Sequence, residues 1–419
     1  MNAGGPTHAE VPPDTRPGAL LLGGLRRGAL LVFLPVFVAG QTLAWLTYAA
    51  SGWYHPWSWF KIGLAQTLAS VRVPFASTGL DPAEEASLQV AFGALTIAVL
   101  VLAFRAGREQ ARGLERSPRQ AALAGSLIGF GFALPMFLAA FPITLGFPQF
   151  GIDRLRPVLW LALALPLVVG ASAGALGGLG RSDIAVKGGS TWTRRAITAA
   201  RCGALAFWWA IVLAFVGFLV LAAVSPGPTG AYARFVSRTG GSGAATVIQH
   251  AVLLPNQSVL FLTTSMGETT SLSLRGEPAV EITRTGISAV GDLGGFLAAY
   301  SGASGDQADF PSWFAVFWLI PLAGTLLGGR AAGSAVRTWG ERLIRGTLAG
   351  CVFALVCTVA AWTATLVVPA WAGLTGGSVT LGPDVPATFA RALVWGLAGC
   401  TLGALVLPRF ARPRATGSR

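Results

Sequence analysis

Eight long apolar stretches constrain this chain more than any other feature of its sequence. Each has at least 17 residues and contains no Asp, Glu, Lys or Arg, and a helix needs about 17 to 25 such residues to cross the hydrocarbon core of a bilayer. The stretches are Gly28–Ala50, Ala86–Phe104, Ala121–Ile143, Val158–Gly178, Gly203–Val224, Trp313–Gly329, Gly346–Trp371 and Ala392–Pro408. We therefore expect an all-α fold, a polytopic transmembrane helix bundle of about eight spans.

The composition agrees with a membrane protein. Charged residues make up 11% of the chain and hydrophobic residues 53%, whereas soluble domains carry about 25% charged residues. So little polar surface excludes a soluble enzyme, a disordered protein and a nucleic-acid-binding protein, despite the net charge of +13. We expect the lipid bilayer to be the main partner and nucleic acid not to be one.

The basic residues predict the orientation. With the N-terminus inside and the spans alternating, the cytoplasmic segments hold 21 of the 30 basic and six of the 17 acidic residues. Basic loops stay in the cytoplasm, where they face an anionic leaflet. We expect a multi-pass protein of the bacterial plasma membrane with both termini cytoplasmic. Residues 1–27 form an N-terminal tail, 28–408 a single transmembrane domain and 409–419 a basic tail.

Two outer loops, 51–85 and 225–311, are longer than turns. The first contains an aromatic cluster at residues 53–60 that is typical of a helix lying at the membrane interface. In the second, Thr269–Leu274 and Ala279–Ile287 flank Arg275 to Pro278, which indicates a small β-hairpin on the outer face.

The second loop also contains an apolar segment at about 244–266. A full crossing there would place the basic loop 330–345 outside, against the charge bias. We therefore expect a re-entrant helical hairpin whose two half-helices turn back at Pro255–Asn256. The polar residues around this break are His250, Asn256, Gln257 and Ser258. They either cap the half-helices or line a polar cavity that admits a solute.

Small residues predict where the spans pack. Gly-x-x-x-Gly pairs let helix backbones approach closely, and on the expected topology five of them lie in the cytoplasmic half of the membrane. The pairs are Gly125/Gly129, Gly170/Gly174, Gly324/Gly328, Gly346/Gly350 and Gly399/Gly403. Pro166 with Gly170/Gly174 is similar to Pro321 with Gly324/Gly328, which indicates an internal duplication of these two segments.

No catalytic constellation emerges from the residues. The eight stretches contain no Asp, Glu, Lys, Arg or His to serve as a proton relay, no Walker A pattern occurs, and the three histidines are far apart in sequence. We expect no catalytic residues, no metal site and no cofactor, and hence a protein that is not an enzyme.

The chain resembles a known family at Leu254-Pro255-Asn256-Gln257-Ser258. This pentapeptide within an apolar run, the Arg-rich loops and the length are similar to the streptophobe family of actinobacterial polytopic membrane proteins. The resemblance implies a membrane location and no particular activity. We expect a non-catalytic membrane partner or scaffold in envelope processes. The alternative is a permease or channel-like protein that passes a neutral or amphipathic solute through an outward-facing vestibule.

Overall fold

The helix bundle expected from the sequence is confirmed. The computed structural model describes residues 17–51, 55–77, 87–112, 114, 117–147, 152–181, 191–224, 243–274, 277–283, 286–289, 307–309, 312–334, 336, 338–369 and 378–407. Seven helices in these ranges are long and apolar enough to cross a membrane: Pro17–Thr47, Pro118–Ala140, Leu159–Gly180, Arg194–Val220, Ala315–Ser334, Trp339–Ala364 and Val385–Val406. The tail 409–419 and most of the tail 1–27 lie outside the described residues.

The eighth expected span forms a helix with shifted bounds. It begins at Gly93 instead of Ala86 and continues to Gln110. The extension includes Arg105, Arg108 and Glu109. Its crossing of the membrane stays a prediction.

The helices are α1 (Pro17–Arg27), α2 (Leu34–Ser51), α3 (Pro56–Ala69), α4 (Gly93–Gln110), α5 (Pro118–Ser126), α6 (Ile128–Ala140), α7 (Leu159–Arg181), α8 (Thr191–Val224), α9 (Gly243–Ser265), α10 (Leu319–Ser334), α11 (Trp339–Ala364) and α12 (Val385–Val406). A π-helical stretch, Gly28–Phe33, joins α1 to α2, and a 3-10 helix, Ser312–Trp318, leads into α10. Pro118 and Val385 begin helices whose preceding residues, Ser117 and Asp384, cap the first turn with their side chains.

The strands are β1 (Phe75–Ser77), β2 (Ser87–Leu88), β3 (Leu145–Phe147), β4 (Ile152–Pro157), β5 (Thr270–Leu274), β6 (Glu277–Ile282), β7 (Gly286–Ala289), β8 (Gln307–Asp309), β9 (Leu366–Pro369) and β10 (Ser378–Pro383). They form two antiparallel sheets of order β2-β1-β4-β3 and β8-β7-β6-β5-β10-β9. The expected hairpin is confirmed as β5–β6, although it belongs to a larger sheet. A bridge between Gln89 and Val367 links the two sheets.

The described chain folds as two repeats with the same order of elements. Residues 17–181 and 191–406 each begin with a long helical segment, α1–α2 or α8, and a helix that leads into a strand, α3 or α9. Two more helical segments follow, α4 and α5–α6 or α10 and α11, then a strand pair and a final helix. The strand partners correspond as well, because β1 pairs with β4 as β5 pairs with β10. Each repeat has its own apolar core, in which Phe132 and Phe353 are fully buried at corresponding places.

Helix contacts fix the correspondence between the repeats. A Cβ added to Gly177 of α7 would collide with the carbonyl of Phe104 in α4, and a Cβ added to Gly403 of α12 would collide with that of Leu326 in α10. Helix α7 therefore corresponds to α12, and α4 to α10. The structure does contain an internal duplication, as expected from Pro166 and Pro321, but the expected equivalence of α7 with α10 is wrong. A proline and two spaced glycines recur too easily in such helices to identify equivalent ones.

The bundle has two different ends. At the sheet end, α6 and α11 run into strands, and α7 and α12 begin where strands finish. At the opposite end, the glycine end, Gly107 of α4, Gly125 of α5 and Gly174 of α7 meet where three helices cross. In the second repeat the same crossing is made by Gly329, Gly346 and Cys400.

The turn expected at Pro255–Asn256 is wrong, because α9 runs without interruption from Gly243 to Ser265. Proline removes one backbone hydrogen bond, and the half-helix after it is held by burial of Phe261 and Leu262 in the second core. The chain reverses later, at Gly267, whose φ of 92° is the left-handed conformation that often ends a helix.

Helices α3 and α9, each of which leads into a strand, enter the bundle from the sheet end. The indole Nε1 of Trp395 donates to the carbonyl oxygen of Met266 at 3.2 Å, and Trp395 lies ten residues, about 15 Å, into α12. Strand β5 then returns towards the sheet end. The expected interfacial helix is α3, which is buried from Gly63 to Ala69 and also turns back into a strand, β1. Its second half therefore packs inside the bundle, and the interfacial position of its aromatic first half stays a prediction.

Candidate functional site between the two repeats

Asn256 connects the two repeats with all of its polar atoms. Its side chain is buried. Its Oδ1 accepts a hydrogen bond from the amide of Gly93 at 2.8 Å, and its Nδ2 donates to the carbonyl oxygen of Ala91 at 2.9 Å. A longer bond of 3.5 Å reaches the carbonyl oxygen of Thr363, near the end of α11. The amide is thus used by backbone groups of both repeats.

This contact caps a helix that has no cap of its own. The residue before α4, Phe92, supplies no side-chain hydrogen bond to the first turn, and a free amide at a helix start needs an acceptor. Asn256 provides that acceptor from a position 163 residues away. The approach is close, since a Cβ on Gly93 would lie 2.9 Å from Cβ of Pro255.

The other residues of the predicted break have separate environments. Ser258 is buried and its hydroxyl donates to the carbonyl oxygen of Leu254 at 2.9 Å. Gln257 and Pro255 are partly exposed. His250 lies within α9, but its side chain is outside the described part of the structure. Asn256 is brought against the first repeat by hydrogen bonds to Gly93 and Ala91.

The predicted packing glycines all lie where helices touch. A Cβ added to any of the ten would come within 3.0 Å of a neighbouring helix. In the first repeat, the contacts of α5 and α6 with α7 contain Gly125, Gly129, Gly170 and Gly174. In the second repeat, the contacts among α8, α10, α11 and α12 contain Gly324, Gly328, Gly346, Gly350, Gly399 and Gly403.

Two of these glycines meet partners that the Gly-x-x-x-Gly pattern does not predict. Gly328 of α10 packs on Ala206 of α8, and an added Cβ would also lie 2.8 Å from the carbonyl oxygen of Cys202. Gly350 of α11 faces the backbone of Gly396 in α12, a glycine that belongs to none of the five pairs. The pattern therefore marks positions of close approach, but it does not identify the facing residue, because alanine and cysteine are small enough to serve as well.

Arg72 is a buried cation at the seam between the repeats. The residue is 4% exposed, its Nε and Nη1 are buried without a hydrogen-bond acceptor, and its guanidinium lies 4.5 Å from the ring centroid of Trp362 in α11. Burial lowers the pKa of Arg72 to about 10, so the group is charged at pH 7. Its φ is 60°. A non-glycine residue in a strained conformation costs about 1–3 kcal/mol, and an unpaired buried charge costs several more.

Glu268 is the corresponding buried charge of the second repeat. It follows Gly267 in the turn after α9, and its Oε2 lies 2.7 Å from Nε of Arg391. Burial raises the pKa of Glu268, although the positive charge of Arg391 opposes this shift. In the described part of the chain, Arg72 and Glu268 are the two buried acidic or basic residues, and one has a counter-ion while the other has none.

No protein family, curated protein or solved structure matches the chain. The site is therefore interpreted from its own geometry.

Sequence reasoning missed Arg72 and Glu268 because both were counted as loop charges. The available signal was local. Arg72 stands between two valines directly after an apolar stretch, and Glu268 follows a Ser-Met-Gly sequence that is typical of a helix end.

Proposed function

We propose that this integral membrane protein is a non-catalytic partner or scaffold in envelope processes at the bacterial plasma membrane. The observation that supports it is the hydrogen bonding of the Asn256 side chain. A permeation path needs polar groups that can replace the water around a solute, and the amide of Asn256 is consumed by backbone groups at Ala91, Gly93 and Thr363.

The exposed surface is consistent with contacts inside the membrane. On α6 and at the residue that ends it, Leu134, Leu138 and Phe141 are 52%, 59% and 58% exposed. The corresponding residues of α11, Leu355, Val359 and Trp362, are 56%, 61% and 41% exposed. Each repeat thus presents the same apolar ridge. Such a ridge contacts lipid or the transmembrane helix of another protein.

Photo-crosslinking in cells tests the proposal. A benzophenone amino acid is placed at Leu138 or Val359 on the two ridges, and at the buried Phe132 or Phe353 as matched controls. A scaffold predicts one discrete protein adduct at a ridge position and none at the buried positions. Adducts with lipid alone at both ridges would contradict a partner in the membrane.

A permease is the second candidate, and one observation favours it. Among the described elements, the main helix contacts between the repeats are made by α9, which packs on α2 and α4 of one repeat and on α8 and α11 of the other. Some transporters are built in this way, from two repeats with the same orientation that meet at a central interface.

Swelling of proteoliposomes distinguishes the two candidates. Vesicles containing the purified protein are diluted into neutral solutes of increasing size, and light scattering is recorded. A permease predicts solute entry faster than in protein-free vesicles, with a size limit. A scaffold predicts the same rate in both.

A further inference from the structure

The turn that contains Arg72 does not need an arginine. In the first repeat the amide of Val73 donates to the carbonyl oxygen of Leu68 at 3.3 Å, and in the second the amide of Glu268 donates to that of Thr263 at 3.0 Å. These matching bonds place Arg72 opposite Gly267, with φ values of 60° and 92°. Glycine adopts this conformation without strain, so the turn itself would be better served by glycine.

Within the described part of the chain, Arg72 also lacks the counter-ion that the second repeat supplies. Arg391, the partner of Glu268, lies eight residues after Pro383 of β10. The matching position, eight residues after Pro157 of β4, is Leu165. Among the described residues no carboxylate forms an ion pair with Arg72, and its Nε and Nη1 remain without acceptors.

Trp362 contacts the guanidinium of Arg72, whose Nε and Nη1 donors remain without acceptors among the described residues. The guanidinium carbon lies over the ring, 4.5 Å from the ring centroid, which is a cation–π contact. The N–H groups point outward in the plane of the guanidinium, where an oxyanion binds with two parallel hydrogen bonds.

We propose that Arg72 and Trp362 form a binding site for an anionic group with at least two oxygens, a phosphate or a carboxylate, that enters the seam between the repeats. Binding of the anion would then supply the acceptors that the buried guanidinium lacks. The same chemistry is offered by the phosphodiester of a lipid head group and by a free anion. The inference does not depend on the scaffold proposal, because a bound lipid suits a scaffold and a free anion suits a permease.

Thermal unfolding of the full chain in non-ionic detergent tests the site. Sodium phosphate is titrated in one arm and dioleoylphosphatidylglycerol micelles in the other, with sodium chloride of equal ionic strength and dioleoylglycerol as controls. We expect a saturable rise in Tm of several degrees for the wild type. A rise with the lipid alone identifies a head group, and a rise with phosphate identifies a soluble anion.

Two variants isolate the guanidinium. Arg72→Gly reproduces the glycine of the other repeat, and we expect it to keep or raise the ligand-free Tm while losing the response to both probes. Trp362→Phe keeps a ring at this position but weakens the cation–π contact, so its response should be smaller than that of the wild type but not lost. As a further variant, Arg72→Lys keeps the charge without the planar fork, and its apparent affinity should fall at least tenfold.

Two results would overturn the site. One is a response of Arg72→Gly equal to that of the wild type. The other is a wild type that responds to neither probe; a lower ligand-free Tm of Arg72→Gly would then make the contact with Trp362 a structural tie.

Discussion

Substitution of Gly324 by alanine tests the close packing of the helices. Gly324 lies in α10, where an added Cβ would be 2.7 Å from Cβ of Ala210, 2.8 Å from its backbone nitrogen and 2.9 Å from the carbonyl oxygen of Ala206. Ordinary contacts begin at 3.4 Å. Helices α10 and α8 must therefore move apart by about 0.7 Å, because Ala210 is fully buried and its backbone cannot turn aside.

A gap of this size has a definite cost. An opening of about 0.5–1 Å forfeits a quarter to a half of each dispersion contact, and overpacking of a close-packed interior costs about 1–3 kcal/mol. Alanine regains about 1 kcal/mol of helix propensity over glycine. The net destabilisation expected for Gly324→Ala is about 1 kcal/mol.

Gly340→Ala is the matched control, because nothing lies within 4 Å of its added Cβ in α11. It gains up to about 1 kcal/mol of propensity without a clash, so the two variants should differ by about 2 kcal/mol. At about 2 °C per kcal/mol for a chain of this size, their Tm values in detergent should differ by about 4 °C. Equal Tm values for Gly324→Ala and Gly340→Ala would refute close packing at this contact.

Three further outcomes are expected. Asn256→Leu leaves the buried amide of Gly93 and the carbonyl oxygen of Ala91 without partners, so its free energy of unfolding, measured with denaturant, should fall by about 2–4 kcal/mol. An unchanged value would mean that this contact does not hold the repeats together. Glu268→Gln should be more stable than the wild type at pH 8 and equal to it near pH 4. Because burial raises the pKa of Glu268, the folded protein binds the proton more tightly than the unfolded chain, and wild-type stability falls as pH rises from 4.5 through the raised pKa. A wild type that gains stability over this range would contradict a raised pKa at Glu268. A cysteine at position 337 should react with an impermeant thiol reagent only in opened cells, whereas one at position 305 should react in intact cells; labelling of 337 from outside would reverse the orientation.

The features readable from the sequence are those that a single helix or hairpin determines by itself. Length and hydropathy predict a span without reference to its neighbours, and the sequence around Arg275 predicts the β5–β6 hairpin through local turn chemistry. The positions of the ten packing glycines were also accessible, because close approach of two helices demands residues without side chains. Their partners were not, as Gly328 and Gly350 illustrate, since the facing residue lies on another helix.

The missed features depend on residues distant in sequence. Proline at 255 signals a break, but the helix continues because Phe261 packs against Phe218 and Phe317 at centroid distances of 6.3 and 5.0 Å. The role of Asn256 depends on Gly93 in the other repeat. A duplication was expected from Pro166 and Pro321, but the equivalent helices were paired wrongly, because their correspondence is one of element order and strand pairing, which hydropathy alone does not reveal.

The parity of the helices in each repeat has a consequence for how the chain arose. Each repeat contains four long helices that alternate in direction, so each begins and ends at the glycine end. When a gene for such a unit is copied in tandem, the second copy inserts with the same orientation as the first, and neither copy has to reverse the distribution of its arginines. An ancestral homodimer could thus become one polypeptide through the joining segment 182–190 alone. The two repeats of one polypeptide need not be identical, and they differ at the turn where Arg72 lies opposite Gly267.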